Sequence, residues 1–126
     1  MTDAARATDG LSGTARLMRA TRVGITALSW AFRNEEAFRL EVSGLAVLLP
    51  LALWLGHSGV ERALLAGAVL QVLIVELLNT GIEVVVDRIS VERHALSGLA
   101  KDLGSAAVMI SLLLAVVIWV CVLLLR

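Results

Sequence analysis

The chain has 126 residues, of which 59% are hydrophobic, and its 11 basic side chains balance its 11 acidic ones. Its mean hydropathy of +0.89 is high, and soluble domains contain only about 45–50% apolar residues, so the composition indicates a membrane protein. The length allows a single domain. The balanced charge argues against nucleic acid as a partner. The lone cysteine, Cys121, excludes an internal disulfide and a cysteine metal cluster.

The first element, over residues of about 12–39, is predicted to be an amphipathic helix on the membrane surface. Such a helix lies in the plane of the lipid headgroups, with its arginines directed toward anionic lipid or phosphate. Simple anchoring would also explain most of these arginines. The apolar side is formed by Leu17, Ala20, Ile25, Leu28 and Phe32, and the basic cluster by Arg16, Arg19 and Arg22.

Three apolar segments follow, at about 42–60, 63–86 and 103–125. Each is close to the 20 or so residues that a helix needs to cross the hydrocarbon layer. The first two are separated by only a few residues, so they are predicted to form an antiparallel hairpin, whereas a polar loop at 87–102 precedes the third. We therefore expect an all-α membrane protein, with residues 1–126 forming one membrane domain of three transmembrane helices and an N-terminal surface helix.

The distribution of lysine and arginine predicts the orientation. Nine of the eleven positive charges fall in the N-terminal segment and the 87–102 loop, namely Arg6, Arg16, Arg19, Arg22, Arg33, Arg39, Arg88, Arg93 and Lys101. Only Arg62 and Arg126 fall on the other side. Because positive charge collects on the cytosolic side, the N-terminus and the loop are expected to be cytosolic and the C-terminus to lie outside. In a bacterium this membrane would be the inner one.

Glu76, Asn79 and Glu83 interrupt the second apolar segment, and Asp87 follows directly after it. At about 100° per residue they fall within roughly 80° of one another on one helical face. A charged carboxylate at the bilayer centre costs about 2.5 kcal/mol or more, so two glutamates here are expected to have a function. A stripe of acids that ends in a polar loop suits a metal or phosphate site at the membrane surface.

Depth separates the expected roles of these acids. Glu76 lies roughly 10 Å deeper than Glu83 along a helix, so its poorly hydrated carboxylate suits a general base at the level of a lipid hydroxyl. Glu83, closer to water, suits Mg²⁺ together with a second carboxylate, for which Glu35 is a candidate. Purely structural roles are also open for these residues. Glu76 could form an interhelical hydrogen bond, Asn79 could contact another helix, and the Lys101-Asp102 pair could anchor the chain at the membrane interface.

A function of another class, a small ion channel or proton relay, would also use buried glutamates. A relay needs ionisable groups in both halves of the membrane, but residues 63–75 offer only Gln71 and the third segment offers none. This asymmetry favours a site on one face of the membrane. Neither a Walker A motif nor a GxGxxG loop occurs in the chain, which excludes P-loop and protein-kinase nucleotide sites.

Three segments resemble the prokaryotic diacylglycerol kinase family, the small trimeric lipid kinases of the bacterial inner membrane. They are NEEAFRLE at 34–41, VELLNTGIEVVVDRI at 75–89 and HALSGLAKDLGSAAV at 94–108. The resemblance extends from about Gly13 to the C-terminus. It implies phosphorylation of a lipid hydroxyl by ATP, with diacylglycerol converted to phosphatidic acid, or undecaprenol as the alternative substrate. It also implies a homotrimer whose sites are shared between subunits.

The resemblance also implies roles for individual residues. Glu76 would be the base that accepts the hydroxyl proton, and Glu35 and Glu83 would hold Mg²⁺ with ATP. The expected nucleotide contacts are Arg16, Glu35, Glu83, Glu92, Arg93, His94, Lys101 and Asp102. The expected lipid contacts are Arg16, Trp54, Glu76 and Ser105, and Asn79 and Asp87 are expected to support the site.

Overall fold

The computed structural model describes residues 12–126. This part of the chain contains four helices and no strand: α1 (Gly13–Asn34), α2 (Glu36–Leu55), α3 (Gly59–Ile89) and α4 (Ala95–Leu124). The boundary between two compact units falls between Glu36 and Ala37. Arg6 and the start of the expected 1–126 domain lie outside the described residues.

Helix α1 is the candidate surface helix and has 22 residues. It starts at the N-cap Ser12, whose hydroxyl accepts a hydrogen bond from the Ala15 amide at 3.3 Å. It ends at Asn34 because Glu35 has an extended backbone, with φ of −114° and ψ of 114°. The expected surface segment of about 12–39 is therefore divided, and its last residues belong to α2. Along α1 both arginines and large apolar side chains are exposed, as an amphipathic helix requires.

Helices α2, α3 and α4 are each long and apolar enough to cross a membrane, which confirms the prediction of three such helices. The helices extend beyond the apolar segments, however. Only residues 90–94 between α3 and α4 are non-helical, so 87–89 and 95–102 of the expected loop are helical. The reason is that hydropathy marks the edge of the hydrocarbon layer, whereas backbone hydrogen bonds continue into the polar residues beyond it.

Helices α3 and α4 pack closely as an antiparallel pair. Two polar side chains connect them within their apolar length. The Gln71 amide donates to the Ser111 carbonyl at 2.7 Å, and the Trp119 indole donates to the Leu65 carbonyl at 3.1 Å. Hydrogen bonds of this kind are typical of membrane helix pairs, where hydrophobicity alone does not drive association. They fix the register of α4 against α3.

The end of the bundle away from the 90–94 connection is closed by polar contacts. Residues 56–58 connect α2 to α3, and Ser58 caps α3 by accepting from the Glu61 amide at 3.2 Å. The Arg126 guanidinium donates to the Leu55 carbonyl and to the Glu61 carboxylate, both at 3.0 Å. Because the ends of α2 and α4 meet the start of α3, the expected α2–α3 hairpin is antiparallel in the structure.

Candidate functional site

The polar face of α3 changes from buried to exposed along the helix. Glu76 is 6% exposed and Asn79 is 8% exposed, whereas Glu83 is half-buried and Asp87 is exposed. Thr80, which the sequence analysis did not single out, is also buried, at 6% exposure. The face therefore presents one protected carboxyl below a carboxyl that water can reach. This arrangement can separate proton transfer from cation binding.

Helix α4 places a cation beside this face. The Lys101 ammonium lies 2.7 Å from the Asp87 carboxylate, and both side chains are exposed to a similar degree. Lys101 is also close enough to Glu83 for electrostatic attraction. One lysine is therefore paired with Asp87 and attracted by Glu83, at the end of the helix pair where the 90–94 connection begins.

The residues of that connection line an open cavity of about 510 Å³, which we call the connector cavity. Among its lining residues are five of the expected site residues: Asp87, Glu92, Arg93, His94 and Lys101. The first turn of α4 also lines it, and a helix N-terminus attracts anions through its backbone N–H groups. The cavity thus combines an arginine, a lysine and a helix N-terminus, a set of groups suited to phosphate.

His94 has a structural role in this cavity. It is the N-cap of α4, and its Nδ1 accepts a hydrogen bond from the Leu96 amide at 3.1 Å. The expected contact with the nucleotide would therefore use Nε2. Two other expected residues, Asp102 and Ser105, are exposed on α4 and do not line the connector cavity. Asp102 directly follows Lys101, which lines the cavity, and Ser105 lies one turn further along α4.

A second, apolar groove of about 440 Å³ lies between α2 and the α3–α4 pair. Its wall is hydrocarbon except for Glu41, whose Oε2 is buried and has no hydrogen-bond partner among the described residues. Glu41 is also close enough to Glu76 for the two carboxylates to repel each other. The sequence analysis assigned no role to Glu41, although its position just before the first apolar segment, within NEEAFRLE, is a signal that could have identified it.

The other three expected site residues are in α1, directly after α1 and in α2. Arg16 is in α1 and Glu35 is the residue after it, so both belong to the other compact unit. Trp54 is 78% exposed at the end of α2, and Glu76 lies roughly 20 Å from that level along the helix axis. A lipid that contacts both Trp54 and Glu76 must extend its chain toward Trp54 and its hydroxyl toward Glu76.

The donor set fits a partial magnesium site. Among residues 12–126 no group of three or more histidine, cysteine, aspartate or glutamate side chains could enclose a metal ion. Mg²⁺ usually binds through one or two carboxylates together with substrate phosphates and water, so a complete protein cage is not required. The half-buried carboxylate of Glu83, next to Lys101, supplies one hard oxygen ligand of the kind that Mg²⁺ prefers.

Comparison with known proteins identifies the family. Residues 22–123 match the family model described as prokaryotic diacylglycerol kinase. The chain is 49% identical over 115 residues to diacylglycerol kinase of Escherichia coli K12, covering 90% of this chain and 92% of the relative. It is 47% identical over 115 residues to the Pseudomonas aeruginosa protein of that name (91% and 94%), and 44% identical over 108 residues to the Haemophilus influenzae one (86% and 92%). The chain belongs to the prokaryotic diacylglycerol kinase family and is a lipid kinase of the membrane.

Proposed function

We propose that this lipid kinase transfers the γ-phosphoryl group of ATP to the hydroxyl of diacylglycerol, giving phosphatidic acid and ADP. The observation that carries the proposal is the polar face of α3, which runs from buried Glu76 to exposed Asp87 opposite Lys101. The names of the relatives, all diacylglycerol kinases, support diacylglycerol as the lipid. Undecaprenol is the alternative, because a polyprenol hydroxyl could reach the same carboxylate.

In the proposed mechanism the Glu76 carboxylate accepts the proton of the lipid hydroxyl. The hydroxyl oxygen forms a bond to the γ-phosphorus as the bond from that phosphorus to the bridging oxygen breaks, and ADP leaves. The burial of Glu76 keeps bulk water from competing with the lipid as the phosphoryl acceptor. Phosphoryl transfer depends mostly on positioning and on offsetting charge, so the protein needs no covalent intermediate.

The connector cavity is the proposed nucleotide site. Arg93, Lys101 and the N-terminus of α4 would offset the phosphate charge, while His94 and Glu92 would contact the nucleotide. Glu83, and Glu35 from the α1 unit, are the proposed ligands of Mg²⁺, and Arg16 and Asp102 are further proposed nucleotide contacts. Bound Mg²⁺ would neutralise charge on the transferred phosphoryl group and the departing ADP.

The lipid is proposed to lie with its chain along the apolar groove. The groove lies between helices that are apolar enough to cross a membrane, and its one charged wall residue, Glu41, lies near Glu76 at the end where the hydroxyl must be. Trp54 and Ser105 are proposed to contact the lipid outside the groove. We also propose that this end of the protein faces the cytosol across the bacterial inner membrane, because ATP is cytosolic and the positive charges predict that orientation.

An ion path through the membrane is less well supported by the geometry. Gln71, the one polar residue within 63–75 of α3, uses its amide to donate to the Ser111 and Ala68 carbonyls. It therefore serves the contact between α3 and α4. Family membership points the same way, since the relatives are named as kinases.

The first expected result concerns the substrate. Purified protein with MgATP and short-chain diacylglycerol in mixed micelles should give phosphatidic acid, measured by phosphate transfer from γ-labelled ATP. Undecaprenol in the same detergent mixture should be phosphorylated more slowly. The Glu76→Gln protein supplies the background rate. Faster turnover of undecaprenol would reassign the substrate and keep the kinase mechanism, whereas no product from either lipid would remove the proposal.

A second expected result tests whether the positive charge of Lys101 acts on the phosphate of ATP or only pairs with Asp87. Lys101→Met should weaken ATP binding, seen as a higher KM for ATP, because the proposed phosphate cation is lost. The matched control is Asp87→Asn, which removes the same ion pair and leaves the lysine. Since exposed ion pairs add little to stability, both variants should unfold at nearly the wild-type temperature. Equal increases in KM from both variants would show that the ion pair matters, and that the lysine charge does not act on phosphate.

We propose further that the active enzyme is a homotrimer with sites shared between subunits. Family resemblance supports the trimer. Glu35 belongs to a different compact unit from Glu76 and Glu83, which allows the metal ligands to come from two chains.

A further inference from the structure

Gly104 on α4 has no space for a side chain. A Cβ atom built on this buried glycine would overlap the Oδ1 atom of Asn79 and lie 3.2 Å from its Cγ. The obstacle is therefore the carboxamide of one residue on the neighbouring helix. By contrast, a Cβ atom added at Gly67 on α3 would meet no atom within 4 Å. Gly104 thus allows the Asn79 side chain to lie directly against the backbone of α4.

The contact defines the orientation of the carboxamide. Asn79 is 8% exposed, and its buried Oδ1 has no hydrogen-bond donor among the described residues. The oxygen lies over Gly104, where a Cα–H group is the available neighbour, and such contacts are common between helices. The nitrogen is attached to the same carbon as the oxygen, so the NH₂ group is directed away from Gly104.

The orientation of the Asn79 carboxamide decides which of its groups faces the proposed site. Asn79 lies on α3 between Glu76, the proposed base, and Glu83, the proposed metal ligand, and it shares their helical face. A carboxamide can present either an acceptor oxygen or two donor hydrogens. Only the NH₂ end can donate to a phosphoryl oxygen, whereas the carbonyl end would repel one.

We infer that Gly104 is a positioning residue that holds the oxygen of Asn79 against α4 and thereby presents its NH₂ group to a phosphoryl oxygen of the substrate. This inference rests on the proposed function, because it assigns the ligand as the phosphoryl group transferred near Glu76. The contact also sets the distance between α3 and α4 close to the Lys101–Asp87 ion pair. Gly104 acts through Asn79 and touches no substrate itself.

The test combines activity with a direct measurement of the carboxamide. The chain has only two asparagines, Asn34 and Asn79, and the Asn34 amide donates to the Trp30 carbonyl at an exposed place in α1. Protein labelled with ¹⁵N-asparagine should therefore give two side-chain NH₂ signals, and Asn79→Ala assigns them. Gly104→Ala is expected to move the Asn79 signal and to leave the Asn34 signal in place.

In the kinase assay Gly104→Ala should lower kcat about 10²-fold, a typical result of misplacing a group by about 1 Å. KM for both substrates should change little, since the donor acts on the transferred group. The matched control is Gly67→Ala, the same substitution at an open position of α3, which should keep wild-type activity and both NH₂ signals. An unmoved Asn79 signal together with wild-type kcat in Gly104→Ala would overturn the inference.

The double variant Asn79→Ala/Gly104→Ala covers the case in which Gly104→Ala does not fold. Alanine at 79 removes the atoms that the new Cβ would overlap, so the double variant should fold as well as Asn79→Ala. If Gly104 acts through Asn79, the added substitution should change kcat by less than about threefold in this background, since coupled residues are not additive. A full 10²-fold loss there, or failure of the double variant alone to fold, would overturn the inference.

The same experiments distinguish failure of this inference from failure of the proposed function. If wild-type protein phosphorylated no lipid, the proposed function would be lost, while the NH₂ signals of the folded variants would still decide whether Gly104 orients Asn79.

Discussion

Replacement of Glu76 by glutamine is expected to reduce kcat by roughly 10²-fold or more, the usual contribution of a general base. Glutamine keeps the size of the side chain and its capacity for hydrogen bonds, but it cannot accept the hydroxyl proton. KM for ATP should stay nearly unchanged, because the nucleotide is proposed to bind in the connector cavity near Asp87 and Lys101. The measurement is the steady-state rate in mixed micelles with both substrates varied.

Glu61→Gln is a matched control for this substitution. Glu61 is on the same helix, at the end remote from the site, where it pairs with Arg126 at 3.0 Å. The same chemical change there should leave kcat close to that of the wild type. Glu83→Gln should instead raise the Mg²⁺ concentration needed for half-maximal rate and weaken nucleotide binding. If the phenotypes of the Glu76 and Glu83 variants were exchanged, the assignment of roles by depth would be wrong.

The polar face of α3 could be predicted from the sequence because it is local. Helical periodicity alone places Glu76, Asn79, Glu83 and Asp87 on one face, and the structure has all four on one continuous helix. Hydropathy located three apolar segments for the same reason, since a span of about 20 residues is set by the thickness of the bilayer. The helix ends were predicted less well, because backbone hydrogen bonding does not stop where the lipid stops.

Contacts between helices could not be predicted in this way. Whether Gly104 faces Asn79, or Gln71 faces Ser111, depends on the register and rotation of α4 against α3, and many registers satisfy the same pattern of apolar residues. Glu41 was missed for a related reason. A single acid at the edge of an apolar segment is ordinary at a membrane surface, and only the groove and the nearby Glu76 distinguish it.

Mixing of inactive subunits tests how the site is assembled. Contacts of Lys101 with Asp87 and of Gly104 with Asn79 join α3 and α4 of one chain, whereas Glu35 lies in the other compact unit. The contacts lead us to expect residues of α3 and α4 to act together within one chain, and the proposed shared sites would take Glu35 from a neighbouring one.

Glu35→Gln and Glu76→Gln subunits, co-expressed with different affinity tags and purified through both, should regain activity. Purification through both tags leaves only mixed trimers, and in a symmetric mixed trimer about one of the three sites would receive an intact Glu35 and an intact Glu76. The matched control is Glu76→Gln mixed with Lys101→Met. This pair should stay inactive, because each chain then lacks one of the two residues that α3 and α4 contribute together. Recovery in the control mixture, with none in the Glu35 mixture, would show that the division between chains runs between α3 and α4, contrary to the assembly proposed for this kinase.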